Sequence, residues 1–390
     1  MANDSFTETT STGWFSRIGN SIKGILFGLL LIVVSVPLLF INEGRAVKTR
    51  KTLDEGAKSF VTIQSEAVDS AQDGKLVYLT GPASASTPLR DEKLGIEATA
   101  LRMKRNVEIF QWKENSTTET KKKLGGGEES TTTYSYEKEW SDKRIDSSKF
   151  KKPDGHTNPQ ALIASKEWTA SPISLGAYVL SPGLAGRIDN FTELEPSAET
   201  EIPEVISGKK LTPSDGGFYL GRNPANPEVG DSRITYAVAL PGEVSIVSKL
   251  MGNSFEPFMA KAGGSIEMLA TGKQSADSMF VSAQETNKIV TWLLRGLGVL
   301  LMFIGFSMLF RPLSVIADVL PIAGNIVGVG TNIVAFFLAI PISLVVIAIA
   351  WIFYRPLIGI PLIVLAVAGF VFLIRKLMSQ RKRQAGLAPS

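Results

Sequence analysis

The chain contains one histidine and no cysteine. One imidazole excludes any two-histidine metal site, and the missing thiols exclude disulfides, thiol catalysis, cysteine-based zinc sites and iron–sulfur clusters. His156 lies in KKPDGHTNPQA, between two prolines. As a general base it would need a nucleophile within hydrogen-bond reach. No Ser-x-x-Lys, G-x-S-x-G or paired-carboxylate motif supplies one, so His156 reads as a loop residue bonded to nearby backbone. In KKKLGGGEES (121–130) the lysines precede the glycines and acids follow them. A phosphate loop needs the reverse order, with its lysine opening a helix. Strand-like segments flank these glycines, so the segment reads as a hairpin tip. NPANPEVGD (223–231) offers oxygens from Asn223, Asn226, Glu228 and Asp231, but without the alternating acidic spacing of a calcium loop. A proline-stiffened turn before a strand is the reading there. No catalytic residue, metal ligand or cofactor is predicted, and the chain is read as not an enzyme.

The remaining chemically distinctive residues sit in or beside apolar runs. Residues 24–41 carry no charge, and nearly everything from Trp292 to Leu373 is apolar. Arg295, Asp318 and Arg355 are the polar exceptions that stand out, and intramembrane ionisable groups are functional candidates. With Asn325, Asn332 and Ser343 they are too sparse for an ion pathway.

The elements that must position these residues form a membrane protein with four transmembrane helices and a large extracytoplasmic α+β, β-rich domain inserted between the first two. Residues 1–23 form a cytoplasmic N-terminal segment, polar and unstructured over 1–10. An interfacial amphipathic helix follows over 11–23, with Trp14, Phe15, Ile18 and Ile22 on one stripe. The first span is 24–41, too long and with the wrong exit for a signal peptide. The β-rich domain covers 42–288, and the second span, 289–311, is stopped by Arg311-Pro312. Residues 312–330, broken by Asp318, Pro321, Asn325 and glycines, form an interfacial or re-entrant segment. Spans three and four cover 331–353 and 356–374, and a basic cytoplasmic tail fills 375–390.

That tail places the C-terminus in the cytoplasm, and four spans place the N-terminus with it, leaving the large domain outside. The cluster after the first span then becomes a membrane collar of Glu43, Gly44, Arg45 and Lys48. Asn42 and Gly44 would end the helix there, with Glu43 pairing locally with Arg45 or Lys48. Gly298 and Gly305 lie two turns apart on the second span, where small residues permit close helix contact.

The net charge of +4 and pI near 9.0 arise from the ends of the chain, because the middle is slightly acidic. Contact with membrane lipid headgroups, not nucleic acid, is the economical account. Within the middle, KLVYLTG, LRMKRNVEIFQWKE, TTTYSYEKEW, DSRITYAVAL and EVSIVSKL read as strands separated by Gly/Pro/Asn turns. LDEGAKSFVTIQ and NPQALIASKEW read as short helices.

In this order the segments NEGRAVKT, DGKLVYLTG, RNVEIFQW, YSYEKEW, GHTNP, NPANPEVGDSRI and WIFYRPL resemble the transmembrane protein 43 (LUMA) family over residues 41 to about 360. The resemblance implies four spans with a large lumenal loop between the first two. For eukaryotic members it implies the endoplasmic reticulum and inner nuclear membrane, association with lamins and emerin, and organisation of membrane complexes. It carries no catalytic residues. The absence of cysteine and the short loops fit a bacterial member, in the inner (cytoplasmic) membrane with a periplasmic domain. The functional expectation is a non-enzymatic integral membrane scaffold acting through its extracytoplasmic domain and self-association. Its partners would be lipids, further copies of itself and other membrane proteins. The alternative is a lipid-binding or lipid-handling membrane protein.

Overall fold

The computed structural model describes residues 4–195, 202–214, 216–357 and 361. The chain forms two compact units. One comprises Met1–Ser11, Thr52–Lys121 and Glu129–Ala283; the other comprises Thr12–Lys51, Lys122–Glu128 and Gln284–Ser390. Four helices are seen among the described residues: α1 (Trp14–Ser59), the single turn α2 (Pro182–Ala185), α3 (Ala276–Ala317) and α4 (Pro321–Tyr354).

The first unit is built on a nine-stranded and a seven-stranded sheet. In the nine-stranded sheet, Ser5–Thr12, Glu128–Ser141, Arg102–Lys122, Ser232–Ala239, Gly217–Leu220, Lys209–Ser214 and Val205–Ile206 lie side by side in that order. The alternation of a half-buried strand is clear in Arg102–Lys122. Met103, Arg105, Val107, Ile109 and Gln111 are buried while Asn106 and Glu108 are exposed. Its antiparallel partner sets Ile234 opposite Val107 and Tyr236 opposite Arg105. In the seven-stranded sheet, Leu76–Ala85 pairs with Gly242–Met251 and sets Leu79 opposite Ile246. Both of those side chains have no exposed surface, and each contributes roughly 1.5–3 kcal/mol by burial.

Two expectations for this unit change. Residues 5–12 are not unstructured, because their Thr/Ser-rich backbone pairs at the sheet edge with Glu128–Ser141. NPQALIASKEW is not a helix. Lys166–Thr169 pairs with Arg102–Arg105 instead, where Trp168 packs on the core. LDEGAKSFVTIQ is helical only to Ser59, as the end of α1. There Leu53 and Ala57 pack with Met279 and Phe280 of α3 and with Leu76, Val247 and Ile266.

In the second unit the expected helix boundaries dissolve. The interfacial helix and first span are one helix of 46 residues, about 69 Å at 1.5 Å per residue. It contains Pro37 and passes through Asn42–Lys48 without ending, so Asn42 and Gly44 are not a helix stop. α3 likewise continues through Pro312 to Ala317. The segment 312–330, expected as an interfacial or re-entrant element, is helical over most of its length. It comprises the end of α3, a turn at 318–320, and the first turns of α4, which opens on Pro321 at the position where a missing N–H costs nothing.

α1, α3 and α4 are the three helices, among the described residues, that are long and apolar enough to cross a membrane. Their exposed Leu26, Phe27, Leu30, Val33, Leu293, Leu297, Phe337 and Phe353 form the apolar surface such helices present to lipid. Leu39, Met302 and Ala339 form the centre of their shared core, with Phe303, Phe306 and Ile342 against it. The expected fourth span and the basic tail lie almost entirely outside the described residues.

Candidate functional sites

The residues that resembled chemistry in the first unit are engaged with neighbouring groups of the protein. His156 is buried, stacked on Tyr136 with ring centroids 3.9 Å apart and edge-on to Trp112 at 4.7 Å. Its Nδ1 bonds Lys152 O at 2.9 Å and its Nε2 bonds Asp4 Oδ2 at 2.7 Å. Both ring nitrogens are occupied, so no free base faces a substrate. The Tyr136 hydroxyl donates to Glu114 at 2.8 Å and accepts from Lys152 N at 3.0 Å. Burial first, and then the Glu114 bond, push its pKa up to about 12.

In the NPANPEVGD turn the oxygens of Asp231 and Asn223 are spent on the protein. Asp231 accepts from Tyr219 at 2.6 Å, Lys209 at 2.8 Å and Glu228 N at 3.0 Å. Burial alone would raise its carboxyl, but these bonds and the Lys209 charge hold it below the ordinary value. Asn223 accepts from Ala225 N and from the Tyr219 hydroxyl. A second buried cluster joins Arg105 to Asp91, with Tyr236 donating to Asp91 at 2.6 Å. It explains an arginine on the inward face of a core strand. Among the described residues no group of three His, Asp or Glu could hold a metal.

The helical unit holds two polar clusters. In the first, Glu43 has no exposed surface and accepts three bonds. Arg295 Nε and Nη2 donate at 2.6 and 2.9 Å, and Trp351 Nε1 donates at 2.8 Å. Arg295 also lies 4.7 Å over the Trp292 ring. This overturns the local pairing expected within the collar. A helix places Arg45 on a different flank from Glu43, and Arg45 instead bonds Asn42, Asn287 and Thr291 at 3.0–3.3 Å. Lys48 is exposed. Gly44 lies where a Cβ would sit 2.6 Å from Tyr354 Cζ, so glycine admits that ring. Arg355 follows the end of α4, its guanidinium 5.9 Å from the Trp351 ring.

In the second cluster, Asp318 is 1% exposed and binds Arg17 at 2.5 Å and Lys122 at 2.6 Å. Arg17 also pairs with Glu128 at 2.9 Å and donates to Gly126 O, while Lys122 reaches Asn325 at 2.7 Å. The tip Lys122–Glu128 is thus part of the helical unit, with Gly126 in close contact with Trp14. Trp14 in turn donates to Val315 O at 2.8 Å. The sequence reading separates residues 122–128 from Arg17 by a membrane; here they touch.

Gly298 and Gly305 face α1. A Cβ on Gly298 would lie 2.5 Å from Leu39, and one on Gly305 would lie 2.6 Å from Ile32 and 2.8 Å from Gly28 O. That close contact joins α1 to α3 within one chain. Arg17, Lys122, Glu128 and Trp351 were absent from the sequence-derived candidates. Their signal was indirect: an acid such as Asp318 in an apolar run demands a cation, but nothing local names which one.

The profile of the transmembrane protein 43 family matches residues 109–356. The human transmembrane protein 43 is 32% identical over 361 residues, covering 90% of this chain and 89% of the human one. The mouse protein is 33% identical over 363 residues, with the same coverage of both chains. The Drosophila melanogaster homolog is 31% identical over 375 residues, covering 92% of this chain and 96% of its own. No solved structure matches. With the profile spanning the NPANPEVGD turn and the end of α4, and with similarity over about nine-tenths of the chain, this chain belongs to the transmembrane protein 43 family.

Proposed function

We propose that the chain is a non-catalytic membrane scaffold that holds its β-rich unit at a membrane and docks other membrane proteins, including further copies of itself, through that unit. The observation that carries the reading is how the two units are joined. The five junctions, at 11/12, 51/52, 121/122, 128/129 and 283/284, all fall inside a helix or strand and none in a loop. The chain thus passes between the units through helices and strands, whereas an enzyme domain tethered for reach would use flexible linkers. Because Gly298 and Gly305 are used within the chain, contacts with copies fall to the β-rich unit. In this reading the N-terminal end of α1, the tip 122–128 and the α3–α4 turn share one membrane face. Crosslinking in native membranes, followed by mass measurement in nanodiscs, tests the proposal. Discrete complexes larger than one chain are expected; a chain that crosslinks to nothing and remains monomeric overturns it.

A further inference from the structure

Between α3 and α4 lies a cleft of about 420 Å³, in the size range of small-molecule and lipid sites. Phe303, Ile304 and Met308 make one stretch of its wall, and Ser307, Arg311 and Asn332 bring polar groups to it. Phe303 and Arg311 are eight residues apart on α3, about 12 Å along the axis. The cleft therefore runs from an apolar end inside the span to a cationic end where the apolar run closes.

The polar groups are unmatched. Ser307 Oγ is buried with no hydrogen-bond partner. Among the described residues Arg311 makes no ion pair and the Asn332 side chain no hydrogen bond, although both stand in helices otherwise apolar enough to cross a membrane. A buried unsatisfied hydroxyl such as Ser307 is costly, while Arg311 and Asn332 are exposed and open to an external partner. The carboxylates nearest this part of α3 are already taken: Glu128, which lines a second pocket together with Arg311, pairs with Arg17, and Asp318 pairs with Arg17 and Lys122.

We infer that this cleft is a glycerophospholipid site: the lipid phosphate pairs with Arg311 and Asn332, and an acyl chain lies against Met308, Ile304 and Phe303. A phosphodiester supplies the anion that a guanidinium recognises, and its attached acyl chain supplies the apolar partner the wall requires. A free phosphate would satisfy only the polar end.

The test uses the full chain extracted in mild detergent, with phospholipid counted by native mass spectrometry. Wild type should retain one phospholipid per chain through delipidation. Arg311→Gln should lower its retention about tenfold or more, as expected for losing a charge-assisted bond. Gly328→Leu, at a position whose Cβ would lie 3.7 Å from Ser314 on the cleft, should expel the lipid by filling the space. Both variants should melt near wild type in the same detergent, which separates lost binding from lost folding. Inorganic phosphate added at the same concentration should not displace the lipid. Equal retention by wild type and both variants, displacement by phosphate alone, or no bound lipid would overturn the proposal. So would efficient crosslinking of Ser307→Cys to cysteines placed in 357–374, since the chain's own last apolar segment would then occupy the cleft. The chain has no cysteine of its own to confuse that result.

Discussion

Replacing Glu43 with glutamine tests the central contact of the helical unit. The carboxylate has no exposed surface and bonds Arg295 through both oxygens, at 2.6 and 2.9 Å. The arginine side chain is itself only 13% exposed. Neutralising one partner leaves the other charged and desolvated, which costs about 3–5 kcal/mol. Glu43→Gln, Glu43→Leu and Arg295→Met should each fall in that range. The double variant Glu43→Leu/Arg295→Met replaces the pair with apolar groups and leaves only the Trp351 indole N–H, 2.8 Å from the lost carboxylate, without its acceptor. That orphan costs about 1–3 kcal/mol. The double variant should therefore be more stable than either single one. The assay is denaturant unfolding in detergent followed by tryptophan emission, since Trp292 and Trp351 both lie close to the Arg295 guanidinium. If the Glu43→Leu and Arg295→Met losses simply add in the double variant, the residues are not coupled and the reasoning fails.

Three further outcomes follow from other contacts. Gly305→Leu should destabilise the helical unit by about 1–3 kcal/mol through overpacking, because the Gly28 carbonyl 2.8 Å from its Cβ position cannot move aside; the same denaturant titration measures it. The Tyr136 phenol should titrate near pH 12 by tyrosinate absorbance, not near the ordinary 10. Its folded pKa lies above the unfolded one, so the stability it contributes is fully present below about pH 10 and lost as pH rises toward 12; Tyr136→Phe should flatten that alkaline limb. For topology, single cysteines at Ser16 and Leu124 should label with an impermeant maleimide from one side of the membrane, and one at Lys48 from the other. Leu124 labelling together with Lys48 would refute the shared face.

The apolar runs at 24–41 and beyond Trp292 were legible in the sequence because a membrane core admits only long uncharged helices, a constraint that acts locally. The strand alternation around Met103–Gln111 was legible for the same kind of reason, since a pleated strand half-buried in a sheet must alternate. Helix ends were not. NEGR and Arg311-Pro312 have the composition of stops, but α3 runs on through the second and α1 through the first, where Asn42, Glu43 and Arg45 find partners on α3, and Glu43 a further one on α4. Those gains outweigh local capping preference.

By itself, then, the sequence determined that this is a multi-pass membrane protein with a β-rich middle, and its ordered segments already resembled the family to which it belongs. Only the tertiary structure decided which charges meet. Arg17 and Asp318 are 301 positions apart and Glu43 and Arg295 are 252 apart, at 2.5 and 2.6 Å. A carboxylate buried among helices must find a cation, but the choice among the chain's 41 Lys and Arg residues depends on which helix faces come together. Those faces come together closely at the small residues Gly28, Gly298 and Gly305, and beside the charges themselves at Gly44 and Gly324.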